Sequence, residues 1–213
     1  MRRCRAAITL GLAGLLGMGT ARADAPADPA AVAAHAAGEP SLQEILDRQG
    51  YSINTVKDEV KAGLFVRAGK GPVTHAPIAA YGLPQVCTSG WYRPTRDRPD
   101  THVLWQVDAP NNKRDHPPLK LGGRTTFDPG TAPFGLWVAT AGFPGETVCT
   151  EDALQRFVPR FKPDDRHKAH VYPVKRGGKI VPHAYVIGWE YSTNNDDQDM
   201  VTLVTNVTPV SQK

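Results

Sequence analysis

From residue 63 onward apolar and polar positions alternate in short runs, and clusters of Pro, Gly, Asn and Asp separate one run from the next. A period of two puts successive side chains on opposite faces of a strand, so each run reads as a half-buried strand. The pattern predicts strands at 64–67, 74–81, 90–92, 102–107, 124–127, 134–139, 147–150, 170–174, 184–190 and 200–207. No stretch after residue 63 keeps a 3.6-residue period. The nearest is 151–157, where Ala153, Leu154 and Phe157 share a face for a turn or two. The expected fold is mainly β, an antiparallel β-sandwich or jelly roll with one short N-terminal helix. Nineteen prolines fit the edges and loops of such a fold better than helices.

The helix announces its own start. Ser41 and Glu44 have the spacing of a capping box, Leu42, Ile45 and Leu46 fall on one face, and Gly50 suits a left-handed end. A short amphipathic helix of this kind docks on something larger. The clearest hairpin is 184–207. Its first arm sends Tyr185, Ile187 and Trp189 one way and Val186, Gly188 and Glu190 the other, and in its second arm Val201, Leu203 and Val207 share a face.

The N-terminus changes the electrostatic picture. Arg2, Arg3 and Arg5 precede an apolar run over 6–18 and the small-residue step Ala21-Arg22-Ala23, the pattern of a signal peptide over 1–23. The run is shorter than the roughly 20 residues a membrane span needs, so no transmembrane segment is expected after cleavage. The whole chain has 25 Lys+Arg against 21 Asp+Glu; without the four leader arginines the two balance at 21 each. A neutral mature chain removes the basic footprint that nucleic-acid binding requires. Arg93, Arg96 and Arg98 alternate with acids and prolines as solvated loops do. An Ala- and Pro-rich linker over 24–39 leads to a single β-sandwich domain over 40–213, secreted or periplasmic. In that compartment Cys87 and Cys149 predict one disulfide, closing a loop of about 60 residues worth roughly 4 kcal/mol.

Chemistry is expected in the hairpin loop. Glu190 stands at its entry and Asp199 at its exit, with Asn194, Asn195, Asp196, Asp197 and Gln198 between them. Hard cations take six to eight oxygen ligands, so converging oxygens here predict calcium held by Glu190, Asp196 and Asp199, with Asn194 and Asn195 in support. The glycine and closing glutamate of an EF-hand are missing. The same residues are also those an ordinary turn prefers. Trp189-Glu190, the Asn/Asp loop, Gln198-Asp199 and the valine-rich strand through Val207 resemble the ending of the secreted bacterial domain family of unknown function numbered 4114. That resemblance implies a β-rich exported module with a calcium site and no established enzymatic activity. Tyr191 and Asp197 depart from the family pattern, which has a second acid and an aromatic residue there.

Other residues offer weaker chemistry. His167 and His170 stand near Asp164 and Asp165, with His183 beyond, but the second histidine begins a predicted strand, so a zinc pair on one face is not expected. Ser89 and Ser192 lack a nucleophile elbow. The glycine pairs at 122–123 and 177–178 read as hairpin turns rather than a phosphate loop. Trp91, Trp105, Trp137 and Trp189, with Tyr92 and Tyr185, suit core packing, or sugar stacking if several line one exposed face. Asn206 begins a glycosylation triplet. The sequence therefore predicts a non-enzymatic exported module with a structural calcium loop and a surface, polysaccharide or protein partner. A carbohydrate-binding module is the alternative, and an exported hydrolase a distant third.

Overall fold

A computed structural model of the chain describes residues 40–81, 83, 85–109, 118–192 and 197–210. Helix α1, Leu42–Arg48, starts as the sequence implies: the Ser41 side chain accepts from the Glu44 N–H, and the Glu44 carboxylate accepts from the Ser41 N–H. Leu42, Ile45 and Leu46 are buried, each contributing about 1.5–3 kcal/mol by leaving water. No helix among the described residues is long and apolar enough to cross a membrane.

The strands are β1 Phe65–Arg67, β2 Val73–Ala80, β3 Cys87–Arg93, β4 Asp100–Asp108, β5 Leu119–Gly123, β6 Thr126–Phe127, β7 Gly135–Thr140, β8 Val148–Cys149, β9 Ala169–Arg176, β10 Lys179–Trp189, β11 Met200–Thr205 and β12 Val207–Pro209. They form two antiparallel five-stranded sheets, ordered β6-β2-β11-β10-β9 and β5-β4-β3-β7-β8, while β1 pairs with β12. This is the expected mainly-β sandwich. Gly177 and Gly178 take positive φ and turn β9 into β10, as read. The Gly122-Gly123 pair instead lies within β5, an edge strand bulged against β4, because glycine tolerates the close approach of the Leu104 carbonyl.

Between the sheets Ile187 and Trp189 of β10 and Met200 and Val204 of β11 meet Trp91, Trp105, Val107, Leu136 and Val138 of the second sheet. On the outer face of the first sheet α1 covers Val186, Val201, Tyr172 and Val174. The β10 alternation thus falls as predicted. Val201 and Leu203 share the outer face, but Val207 belongs to the inter-sheet core, because Asn206 takes φ 64° and breaks the strand. The Asn206 side chain accepts from the Gly69 N–H at 2.8 Å and donates to the carbonyls of Gly71 and Pro72, stapling the turn before β2.

The predicted Cys87–Cys149 disulfide is not formed; both are buried free thiols. Cys87 on β3 pairs with Thr140 of β7, whereas Cys149 on β8 pairs with Trp137 of the same strand. Two strand spacings of ~4.8 Å and an offset of three residues at ~3.4 Å separate the Cα atoms by roughly 14 Å. A disulfide spans no more than about 7 Å. The thiols also face opposite sides of the sheet, Cys87 in the inter-sheet core and Cys149 in the outer cluster with Tyr92 and Trp137. Burial pushes both thiols up, Cys149 to about 12.

Candidate metal centre

The outer face of the first sheet ends in a cluster that the sequence scatters over more than a hundred positions. His170 lies on β9, its side chain on the same face as Tyr172. His167 sits just before the strand, where the chain leaves a short 3-10 turn, Pro163–Asp165, and folds back, so the two rings stand 4.3 Å apart, edge to face. Glu59, from the irregular segment between α1 and β1, reaches both. Its Oε1 is 2.6 Å from His167 Nε2 and 3.0 Å from His170 Nδ1. The ligand atoms of Glu59, His167 and His170 all lie within 4.8 Å of one another. The expectation that the histidines stay apart is corrected here: His170 does lie on a strand, as read, but His167 precedes it in a loop that folds back and brings its ring alongside.

Each ring is fixed at its far side by another carboxylate. His167 Nδ1 is 3.0 Å from both oxygens of Asp152, at the start of the 3-10 helix Asp152–Phe157, and His170 Nε2 is 3.1 Å from Asp197 Oδ1. Asp197 comes from the acidic hairpin loop, folded back over β10. It takes φ 58°, and its N–H donates to Glu190 Oε2 at 3.2 Å. Gly188 makes this fold-back possible. It is the cross-strand partner of His170, and a Cβ built on it would lie 2.6 Å from the Asp197 carbonyl and 2.7 Å from a Leu42 methyl.

The charges are strongly coupled. Burial would raise the Glu59 carboxyl, but hydrogen bonds to His167 and His170 outweigh it and hold it at about 2. The bonds to Asp152 and Glu59 lift His167 to about 10. Burial opposes the charged form of His170, yet Asp197 and Glu59 raise it to about 9. Without an ion, two imidazolium rings pair with three carboxylates and leave one net negative charge. A divalent ion would take the place of the two protons that face Glu59. In a tetrahedral zinc site bond lengths near 2.1 Å put ligand atoms ~3.4 Å apart, so the Glu59 oxygen has to draw back from each ring nitrogen by less than about 1 Å. The outer nitrogens keep their carboxylate partners, the arrangement that orients metal-ligating histidines. The side chain of His167 is 44% exposed, leaving the remaining coordination positions open to water.

The residues singled out by sequence fall in different places. Asn194, Asn195 and Asp196 lie outside the described residues. Glu190 and Asp199 are buried, and Asp199 Oδ2 accepts from the Tyr191 and Ser192 N–H groups, which shapes the loop entry. Tyr191 is a packing residue, stacked on Phe143 with its hydroxyl donating to the Glu146 carbonyl. Asp165 binds the buried Lys168 ammonium at 2.6 Å rather than a histidine. His183 lies 3.3 Å from the Thr208 hydroxyl. Ser89 is buried and donates to the Trp137 carbonyl, a structural role. All four tryptophans are buried, the most exposed at 7%, and Trp105, Trp137 and Trp189 donate their indole N–H groups internally. They do not build a stacking platform for sugars.

Sequence reasoning missed Glu59, Asp152 and the role of Asp197. Asp197 carried a signal only as a departure from the pattern that the resemblance implies, whereas Glu59, beside Asp58 and 108 residues from His167, carried none. Comparison with protein-family models, curated proteins and solved structures finds no match.

Proposed function

We propose that this chain is an exported β-sandwich domain that binds one divalent transition-metal ion, zinc being the best fit, through Glu59, His167 and His170. The observation that carries the reading is the convergence of those three side chains from separate segments, with each imidazole held from behind by a further carboxylate. Mixed nitrogen and oxygen donors suit zinc and its neighbours better than calcium, which prefers oxygen alone. The ion would tie the segment after α1 to β9 and, through Asp197, to the acidic loop, a structural and interaction role without catalysis. The basic, apolar and small-residue order of residues 1–23 supports export.

Hydrolysis is the second reading, favoured by the solvent-facing side of His167, where an ion would keep bound water. Calcium in the hairpin loop rests on Glu190 and Asp199, and one oxygen of each already accepts loop N–H groups.

The test is calorimetric titration of tag-free, chelator-stripped protein with zinc and, separately, calcium, beside Glu59→Gln and His167→Ala. One zinc per chain, lost in both variants, is expected; zinc at 100 times its Kd should stabilise the fold by ~2.7 kcal/mol. Absence of zinc binding, or binding that both variants retain, overturns the proposal. Calcium binding retained in the variants would return the ion to the hairpin loop.

A further inference from the structure

A second site lies on the outer face of the other sheet. A cavity of about 230 Å³ opens between Arg98, Pro99 and Thr101 at the start of β4, Gly145 and Thr147 before β8, and Leu154, Phe157 and Val158 of the 3-10 segment, with the buried Cys149 at its floor. Its lining combines apolar surface with hydroxyl groups and a cation. Phe157 is 41% exposed and turns part of its apolar surface to the cavity. The Arg98 guanidinium stands 5.6 Å and that of Arg156 4.5 Å from its centroid. Among the described residues no ion pair within 4.0 Å forms at either guanidinium; Arg156 donates to the Ala153 carbonyl and its charge also favours the ionised form of Glu151. An aromatic wall with Arg98 in the lining and Arg156 beside it is complementary to an anion with an apolar body. Charge recognition falls to the guanidinium forks and hydroxyl groups, while apolar burial falls to Phe157, Leu154 and Val158.

We propose that this cavity is a binding site for a small organic monocarboxylate with a single ring or short acyl chain. The carboxylate pairs with Arg98 and Arg156, and the apolar body lies between Phe157 and Leu154, over Cys149. The volume lies below the range of drug-sized pockets, which sets the size of the ligand. The site stands apart from the metal centre and does not depend on it.

The test is an amide chemical-shift titration of the whole, tag-free protein with benzoate, with benzyl alcohol as its neutral counterpart and acetate as the bare anion. Benzoate is expected to saturate shifts at Thr147, Cys149 and Leu154 and to bind at least tenfold more tightly than either control. The double variant Arg98→Gln/Arg156→Gln should lose tenfold or more for benzoate and nothing for benzyl alcohol, and Thr101→Trp should exclude both. Unchanged shifts elsewhere confirm that these surface variants stay folded. No saturable benzoate shift, equal affinity for benzoate and benzyl alcohol, or full benzoate affinity in the double arginine variant overturns the proposal.

Discussion

Gly188→Ala tests the link between the hairpin loop and the histidine cluster without touching a ligand. The added Cβ would stand 2.6 Å from the Asp197 carbonyl and 2.7 Å from a Leu42 methyl, whereas ordinary contact begins at 3.4 Å. The Leu42 methyl can rotate aside; the carbonyl is backbone, and must retreat by about 0.8 Å with its loop. Asp197 Oδ1 is 3.1 Å from His170 Nε2, so that retreat stretches the contact to about 3.9 Å, beyond a hydrogen bond. Loss of a carboxylate behind a metal-ligating histidine typically costs 10–100-fold in affinity, about 1.4–2.7 kcal/mol. Competition against a chromophoric chelator at pH 7.5 should therefore show a zinc Kd raised by one to two decades. Asp197→Ala should match it, and Glu59→Gln should exceed both. Wild-type zinc affinity in a folded Gly188→Ala protein would refute the role given to Asp197 while leaving the three-residue site intact.

Four further outcomes follow from the same geometry. His75 lies fully buried on β2 against Trp105, neither ring nitrogen has a hydrogen-bond partner among the described residues, and burial depresses it to about 3. Its neutral form is the folded form, so stability is unaffected above the ordinary value of 6.5 and falls below it by about 1.4 kcal/mol per pH unit until pH 3. Urea unfolding of His75→Leu should thus gain ~2.7 kcal/mol more over wild type at pH 4.5 than at pH 7.5, and a gap independent of pH would refute this. His167 and His170 are raised, so without metal their contribution is complete below pH 6.5 and is lost as pH rises towards 9–10; Glu59 is depressed, and its contribution is lost as pH falls from 4.5 towards 2. Melting of the metal-free protein should show both declines, and Glu59→Gln should weaken both. Zinc must displace protons from those rings, so its apparent affinity should rise between about tenfold and a hundredfold per pH unit from pH 6 to 8, checked by titration in buffers of different ionisation enthalpy. Cys87 and Cys149 should both titrate as free thiols once denatured and resist maleimide when folded; a melting temperature lowered by reductant would contradict this.

Local features were the most legible in the sequence. The capping box fixed the start of α1, and the period-two runs located nearly every strand, because each signal is complete within a few neighbouring residues. The errors share one physical origin, contacts that close over long stretches of chain. Glu59 meets His167 only because α1 packs on the outer sheet face and sets down the segment that follows it. Gly122-Gly123 resembled a turn because the alternative, a bulged edge strand, depends on the β4 carbonyl it approaches. The cysteines were paired by compartment and count, arguments blind to the side of a sheet on which each thiol lies. The acidic loop stood out by its own composition, yet the residue it brings to the cluster, Asp197, was noticed only for departing from a pattern.

The two separated thiols place a demand on the order of events during maturation. Native Cys87 and Cys149 are sealed in different clusters on opposite faces of one sheet, but in the unfolded chain only about 60 residues of flexible polymer lie between them, and such ends meet readily. An oxidised chain would carry a cross-link that the finished sheet cannot accommodate, so pairing before folding becomes a kinetic trap. If this domain matures in an oxidising compartment, β3, β7 and β8 must assemble faster than the thiols are oxidised, or a reductase must release them. Replacing either cysteine with serine or alanine should then raise the yield of folded protein even where it lowers the stability of the fold.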